Sequence, residues 1–189
     1  MVLKVFSPDE QISNILLKKR VPQRNVKLSL LMNFHKELKL AYEDFRDSPV
    51  ILNNTPSFFE YASFVFEKER GSTILRRLHI GNIVLIDIEN DDNLAIIRAL
   101  FYHQKNDLQF AFIVVNWFEK LNRTMLDCPL YRLQTINTNN CQRIFSISLV
   151  SAINNIHFIH CCKDEEFTEG DHNLRNELYM RNLYFFKAV

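Results

Sequence analysis

The sequence predicts a mainly β protein, a small and partly open β-barrel with a helical extension at its N-terminus. Three apolar runs of strand length carry this prediction: Leu78–Ile86, Leu94–Tyr102 and Phe110–Phe118. Polar clusters separate them, an acidic one at 89–93 and a second at 103–107. Several short strands with irregular loops are typical of a barrel rather than of a βαβ fold, whose strands alternate with helices.

The remaining strands follow from the same pattern of apolar runs between turns. A charged turn separates the aromatic run Phe58–Phe66 from the segment Ser72–Ile80, which predicts a β-hairpin. Gly81 and Asn82 then mark a tight entry to the next strand. Four strands are predicted in the last third of the chain, at Leu130–Ile136, Arg143–Val150, Ile156–Cys161 and Leu178–Phe186.

Residues 1–56 are predicted to form a helical and basic extension, and residues 57–189 the β-barrel domain. A short helix is predicted around Glu10–Lys19, ending before Pro22, because proline disfavours helical geometry in the residue that precedes it. From Lys27 to Phe45, apolar residues recur every three or four positions with charged residues between them. This spacing indicates an amphipathic helix with one apolar stripe.

The composition is that of a folded protein without a strong overall charge. Of its 189 residues, 47% are hydrophobic, which is enough apolar surface for one core. The formal net charge of +1 gives no global electrostatic reason to expect a nucleic acid or an anionic membrane as partner.

The N-terminal segment and the cysteines lead to an expectation about the cellular compartment of the protein. The N-terminus has no apolar segment like that of a signal peptide, and no apolar stretch reaches the ~18 residues of a membrane span. The four cysteines are therefore expected to be free thiols in a reducing compartment. We expect an intracellular protein with no membrane partner.

From Leu78 onward, short motifs follow one another in an order known from one family. Ile80–Val84 is a hydrophobic strand with a glycine, Leu94–Ile97 has an alanine between hydrophobic residues, and Val115–Phe118 reads Val-Asn-Trp-Phe. The series continues with Ile147–Ile153, Ile156–Ile159 and Leu183–Phe186. It resembles the bromo-adjacent homology (BAH) domain, a β-barrel interaction module of chromatin proteins. The segment is also similar to BAH-like segments of fungal transposon-derived proteins.

The resemblance implies a nuclear, chromatin-associated protein that binds a histone peptide or another protein. Members that read methylated lysine surround the ammonium group with aromatic rings. One ring position matches Trp117, whereas the other two match Glu119 and Asn93. Lys120 and Leu121 stand where the family has Arg-Pro. The resemblance therefore supports the fold and a protein-binding role better than it supports methyl-lysine reading.

Five residues form the candidate ligand-binding site: Trp117, Phe118, Glu119, Tyr102 and Tyr131. A tryptophan at a strand end beside a carboxylate is typical of a ligand-facing ring, and the alternative is a core residue that plugs the mouth of the barrel. The two tyrosines are included because either would replace a missing ring of the cage.

Nucleic-acid binding is the alternative function, and it depends on a basic run formed by Lys18, Lys19, Arg20, Arg24 and Lys27. Small β-barrels bind single strands by stacking bases on exposed rings above a basic groove. Arg76, Arg77, Tyr61 and Phe64 are candidates for that groove and its rings. A short basic run of this kind is more often a solvated linker between two elements than a nuclear-localisation or nucleic-acid patch. A third possibility is a structural domain of a larger protein, with no ligand of its own.

No catalytic or metal-binding pattern is predicted. The serines fall in no nucleophile elbow, and three glycines argue against a Gly-rich phosphate loop. His157, His160, Cys161 and Cys162 lie close together, but the chain has no Cys-x-x-Cys pair. They are expected to be half-buried strand residues rather than zinc ligands. We expect a non-enzymatic protein without cofactor or metal.

Overall fold

A computed structural model of the chain describes residues 2–3, 12–22, 25, 33–43, 55–67, 72–88, 91–105, 108–134, 142–153, 156–161 and 178–184. Its helices are α1, Phe34–Glu43, and a single 3-10 turn at Ile147–Leu149. Its strands are β1 Val2–Leu3, β2 Ile12–Val21, β3 Ser57–Glu67, β4 Thr73–His79, β5 Ile83–Ile88, β6 Asp91–Lys105, β7 Leu108–Met125, β8 Cys128–Leu133, β9 Ile144–Ser146, β10 Val150–Ile153, β11 Phe158–His160 and β12 Leu178–Arg181.

The described strands form one antiparallel sheet, in the order β1-β2-β3-β6-β7-β8-β12-β11. Three further strands branch from it: β4 pairs with β3, β5 pairs with β6 and β10, and β9 pairs with β7. The mainly β prediction is confirmed. The described strands do not close into a barrel, because β1, β4, β10 and β11 each pair with a single neighbouring strand and not with one another.

All three apolar runs on which the prediction depended form β-strands, and one of these runs is divided between two strands. The run Leu78–Ile86 is split between β4 and β5 by a turn at Gly81, whose φ of +91° few residues other than glycine adopt. The 3-10 turn likewise interrupts the predicted strand Arg143–Val150, and the predicted strand Leu178–Phe186 leaves the sheet after Arg181.

The helix predicted around Glu10–Lys19 is wrong, because this segment forms β2 and pairs with β3. Ile15 and Leu17 are buried while Lys18 is exposed, which is the two-residue period of a strand. Pairing along the full length of β3 outweighs any local helical preference. Strand β2 thus shares a sheet with a strand beyond the predicted domain boundary at residue 57.

Helix α1 confirms the predicted amphipathic helix over Phe34–Glu43, and the predicted flanks 27–32 and 44–45 lie outside the described residues. Its buried stripe consists of Phe34, Leu38, Ala41 and Tyr42. This stripe packs on one face of the sheet, against Phe58, Ala99, Phe101, Phe110, Phe112, Val114 and Ile144. The opposite face of β6 and β7 contributes Leu100, Ile113 and Val115 to a second core, which β2, β3, β4, β5 and β10 cover.

A buried ion pair joins α1 to the sheet. Arg143 donates hydrogen bonds from Nε and Nη2 to the Glu37 carboxylate at 2.8 to 3.1 Å, and the two residues are 7% and 9% exposed. Burial raises the pKa of Glu37, while the hydrogen bonds and charge of Arg143 offset part of this rise. One helical turn later, Tyr42 Oη lies 2.7 Å from His103 Nδ1. Within the described residues, no helix has the length and apolar character needed to cross a membrane.

Candidate functional site

Trp117 lies on β7, opposite Ala95 of β6, and is half-buried at the margin of the second core. Its indole Nε1 donates a hydrogen bond to the Gln142 carbonyl at 2.8 Å. Its ring meets the Phe145 ring edge-on, with 5.3 Å between centroids. These two contacts fix the orientation of the indole, while part of its surface stays open to solvent.

Glu119 follows Trp117 by two positions, so both side chains project from the same face of β7. The Glu119 side chain is exposed. Its carboxylate makes no ion pair with any residue that the structure describes, although Arg132 lies directly opposite on β8. Trp117 and Glu119 therefore place side by side an apolar ring and an exposed carboxylate that forms no ion pair with a described residue.

Phe118 points to the other face of β7, where it meets Tyr131 in an aromatic cluster. Its ring stacks on Phe158 at 4.5 Å between centroids, and Tyr131 meets the same Phe158 ring edge-on at 5.1 Å. Tyr179 packs against Phe118 at 5.2 Å. Phe118 and Tyr131 are 7% and 6% exposed. These rings therefore pack against one another instead of standing around a common point with Trp117, which lies on the opposite face.

Tyr102 lies apart from the other four candidates. It pairs with Ala111, six positions from Trp117 along β7, which is about 20 Å at strand spacing. Its ring packs on Phe59 at 5.8 Å. The structure thus brings Trp117 together with Glu119, and Phe118 together with Tyr131, but it unites neither pair with Tyr102.

The basic run is divided by the geometry of β2. Lys18 and Arg20 are exposed and stand opposite Tyr61 and Phe59 of β3. Lys19 forms an exposed ion pair with Glu60 at 3.2 Å. Arg24 and Lys27 lie outside the described residues.

The other residues considered for a nucleic-acid surface have different positions. Phe64, predicted to be exposed, is fully buried, so that prediction is wrong. Arg76 donates hydrogen bonds from Nη1 to the carbonyls of Val150 and Ser151 at 3.0 and 3.1 Å, and its guanidinium lies 4.1 Å from the centre of the Phe66 ring. Burial lowers the pKa of Arg76. This arginine therefore bridges the open side of the sheet between β4 and β10.

The sequence analysis missed His79, which is exposed and stacks on Tyr61 with 5.2 Å between ring centroids. The two residues are directly opposite in the β3–β4 hairpin. The hairpin itself was predicted, but counting back from its predicted turn pairs Tyr61 with Arg77, two residues from its partner His79. Arg77, opposite Ser63, is also exposed and lies on the same face as Tyr61.

A surface cleft of about 190 Å³ opens where β2 ends and β3 begins. It is lined by Arg20, Val21, Pro22, Thr55, Pro56, Ser57 and Phe58. Arg20 Nη2 lies 3.4 Å from Ser57 Oγ across this cleft, so a cationic group sits at its mouth.

Metal-binding residues do not converge in the described part of the chain, where no group of three His, Cys, Asp or Glu side chains could hold an ion. Cys128 is a buried free thiol, and the Cys161 thiol lies 3.8 Å from the Ile159 carbonyl oxygen, to which it donates a hydrogen bond. His157 and His160 are half-buried. Cys141, Cys162 and His172 lie outside the described residues.

No protein-family model matches the chain, and no curated protein matches it at a significant level.

Proposed function

We propose that this chain is a non-enzymatic, BAH-like interaction module that binds a lysine-bearing peptide, such as a histone tail, on the surface formed by Trp117 and Glu119. The observation that carries the proposal is the pairing of a half-buried, oriented indole with an exposed carboxylate that lacks an ion-pair partner among the described residues. The order of the short motifs from Ile80–Val84 through Val115–Phe118 to Leu183–Phe186 supports the BAH-like fold.

A lysine side chain suits this surface because it has two chemically different parts. Its methylene stem packs on apolar rings while its ammonium group seeks an anion. Trp117 offers the ring, and Glu119 offers the anion about 7 Å further along the strand. The ammonium group also gains from the electron-rich face of an indole.

Methylation of the lysine is not expected to increase affinity. A methyl-lysine cage needs several rings around one opening. Two candidate rings near Trp117 in the sheet, Phe118 and Tyr131, lie on the other face of β7, where Phe118 stacks on Phe158 and Tyr131 meets Phe158 edge-on. The proposal is therefore that of a peptide-docking module in chromatin rather than a methyl-lysine reader.

The test is a titration with lysine-bearing histone-tail peptides, followed by the fluorescence of Trp117. Because the chain has a single tryptophan, any change in emission originates at the proposed site. We expect a saturable change of similar midpoint for unmethylated and trimethylated peptides. A constant emission up to millimolar peptide would contradict the proposal, and a change that requires methylation would contradict the exclusion of a cage.

Two glutamate variants control for overall charge. Glu119→Gln is expected to weaken peptide binding by about fivefold, the upper range for an exposed ion pair. Glu67→Gln removes the same charge at the exposed end of β3 and is expected to leave the midpoint unchanged. Equal effects of the two substitutions would show attraction by overall charge alone, not a site at Glu119.

A further inference from the structure

The outward face of β2, β3 and β4 presents cations and rings in adjoining cross-strand rows. Lys18, Tyr61 and His79 form one row, because Lys18 pairs with Tyr61 and Tyr61 pairs with His79. Arg77 belongs to the neighbouring row. Arg20 is exposed in the row on the other side, opposite Phe59, which packs on Tyr102 at the margin of the second core, so Arg20 lies at the edge of this surface. We call this surface of Lys18, Arg20, Tyr61, Arg77 and His79 the basic face.

The charged side chains of the basic face are all positive. Lys18, Arg20 and Arg77 are exposed, and none of them forms an ion pair with a described residue. Glu60 is paired with Lys19. Glu67 stands at the far end of β3, opposite Thr73. Three cations thus surround the Tyr61–His79 pair at distances of one or two strand spacings, about 5 to 10 Å.

The rings of Tyr61 and His79 stack at an interplanar angle of 23°, and His79 is exposed while Tyr61 is half-buried, so this stacked pair, here called the platform, is partly open to solvent. A flat aromatic group can extend this stack from its open side. The cleft beside Arg20 adjoins the same face, and its volume of about 190 Å³ is below the usual size of a pocket for a whole small-molecule ligand. The size of this cleft suits a phosphate group or one flat ring of a ligand that is also bound at the platform.

We propose that the basic face binds single-stranded nucleic acid, with a base stacked on the Tyr61–His79 platform and backbone phosphates at Lys18, Arg20 and Arg77. This function goes beyond peptide docking at Trp117 and is carried by other strands. An acidic peptide would satisfy the cations but has no need of the platform. A duplex keeps its bases stacked inside and offers the platform only its backbone.

The first test measures binding of a fluorescein-labelled 12-nucleotide oligo(dT) by anisotropy at several salt concentrations. Three phosphate contacts predict a slope of log K against log[salt] of about −2, since each contact on a single strand contributes about −0.7. The triple variant Lys18→Gln, Arg20→Gln, Arg77→Gln is expected to reduce this slope to near zero. The control Lys39→Gln, Lys120→Gln, Arg123→Gln removes the same charge from other exposed positions and is expected to keep the slope.

The second test isolates the platform. Tyr61→Ser is expected to weaken binding by about 5- to 100-fold through the loss of stacking. Tyr61→Trp keeps a stacking ring and is expected to retain binding, which separates stacking from folding. Tyr184→Ser, at an exposed tyrosine outside the face, is the matched control and is expected to have no effect.

Three results would overturn the proposal. One is equal loss of binding in both charge triples, and another is unchanged binding in Tyr61→Ser. The third is equally tight binding of a 12-base-pair duplex or of poly-glutamate, which would indicate a general anion-binding surface. Oligo(U) is expected to bind like oligo(dT), since stacking and phosphate contacts do not involve the 2′-hydroxyl.

Discussion

Substitution of Arg143 by methionine tests how the buried ion pair holds α1 on the sheet. Arg143 makes three hydrogen bonds to the Glu37 carboxylate, and the side chains of the pair are about nine-tenths buried. Methionine fills most of the space but leaves the carboxylate without its counter-ion. Removal of one partner from such a pair costs about 3–5 kcal/mol of unfolding free energy. We expect this loss at pH 7.5.

The loss of unfolding free energy in Arg143→Met is expected to increase with pH. In the native chain, burial raises the pKa of Glu37 above its ordinary value, and Arg143 and, less strongly, Lys36 lower it. The variant lacks the contribution of Arg143, so the pKa of Glu37 rises further. A carboxyl group whose pKa is higher in the folded chain than in the unfolded one contributes stability below the unfolded pKa and loses it as pH rises through the folded pKa. The destabilisation should therefore grow from pH 5 to pH 7.5.

The assay is urea unfolding followed by circular dichroism, with each variant compared with the native chain at the same pH. At a slope of about 2 kcal/mol per molar urea, the expected loss lowers the midpoint by about 1.5 to 2.5 M at pH 7.5. The double variant Glu37→Gln, Arg143→Met has no ionisable carboxyl at this position and should lose the extra pH dependence. Arg132→Met, at an exposed position of β8, should change the free energy by no more than about 0.5 kcal/mol.

A loss below about 1 kcal/mol for Arg143→Met at pH 7.5 would refute the reasoning, because a truly buried carboxylate cannot lose its counter-ion at so small a cost. A large loss that is equal at pH 5 and pH 7.5 would also refute it. That result would assign the cost to lost packing rather than to the unpaired charge.

Three further changes are expected to shift the unfolding midpoint in the same assay. Tyr42→Phe removes the 2.7 Å hydrogen bond to His103 and should cost about 1–3 kcal/mol; no loss would show that water replaces the hydroxyl. Gly81→Ala should cost about 1 kcal/mol although no atom lies within 4 Å of the added methyl group, because φ is +91°; a neutral result would show that the turn relaxes. Asn116→Leu should be neutral or stabilising, since Asn116 Oδ1 is buried without a hydrogen-bond partner among the described residues; a loss above about 1 kcal/mol would reveal a partner.

The central strands were predictable because their signal is local. The segments 94–102 and 110–118 are apolar on both faces, since α1 covers one face and the second core the other. Runs of this length between turn residues predict buried strands. The segment Ile12–Val21 has a weaker signal, because its few apolar residues fit a helix or a strand. Pairing with β3, which joins residues from Val21 and Phe58 to Ile12 and Phe66 that are far apart in the sequence, decides in favour of the strand.

The candidate site was predictable only in part, for reasons of register. Neighbouring residues of a strand point to opposite faces, so Trp117 and Phe118 cannot line one surface, and the alternation alone indicates this. The contact between Phe118 and Phe158 does not follow from this alternation. The pairing of β8, β12 and β11 brings Phe158 to Phe118. Such a contact depends on the order of strands in the sheet, which no local pattern encodes.

The overall charge of +1 is a poor guide to the partners of this chain, because the folded surface separates charges of opposite sign. The basic face places Lys18, Arg20 and Arg77 around a stacking platform, whereas Glu119 beside Trp117 offers an anion. At physiological ionic strength a charge acts over about 8 Å, so a ligand responds to the charges it touches rather than to their sum. Both proposed surfaces are therefore compatible with a neutral protein. They are distinguished by salt, since three phosphate contacts give a slope near −2, whereas one lysine–glutamate contact releases few counter-ions and gives a much shallower one.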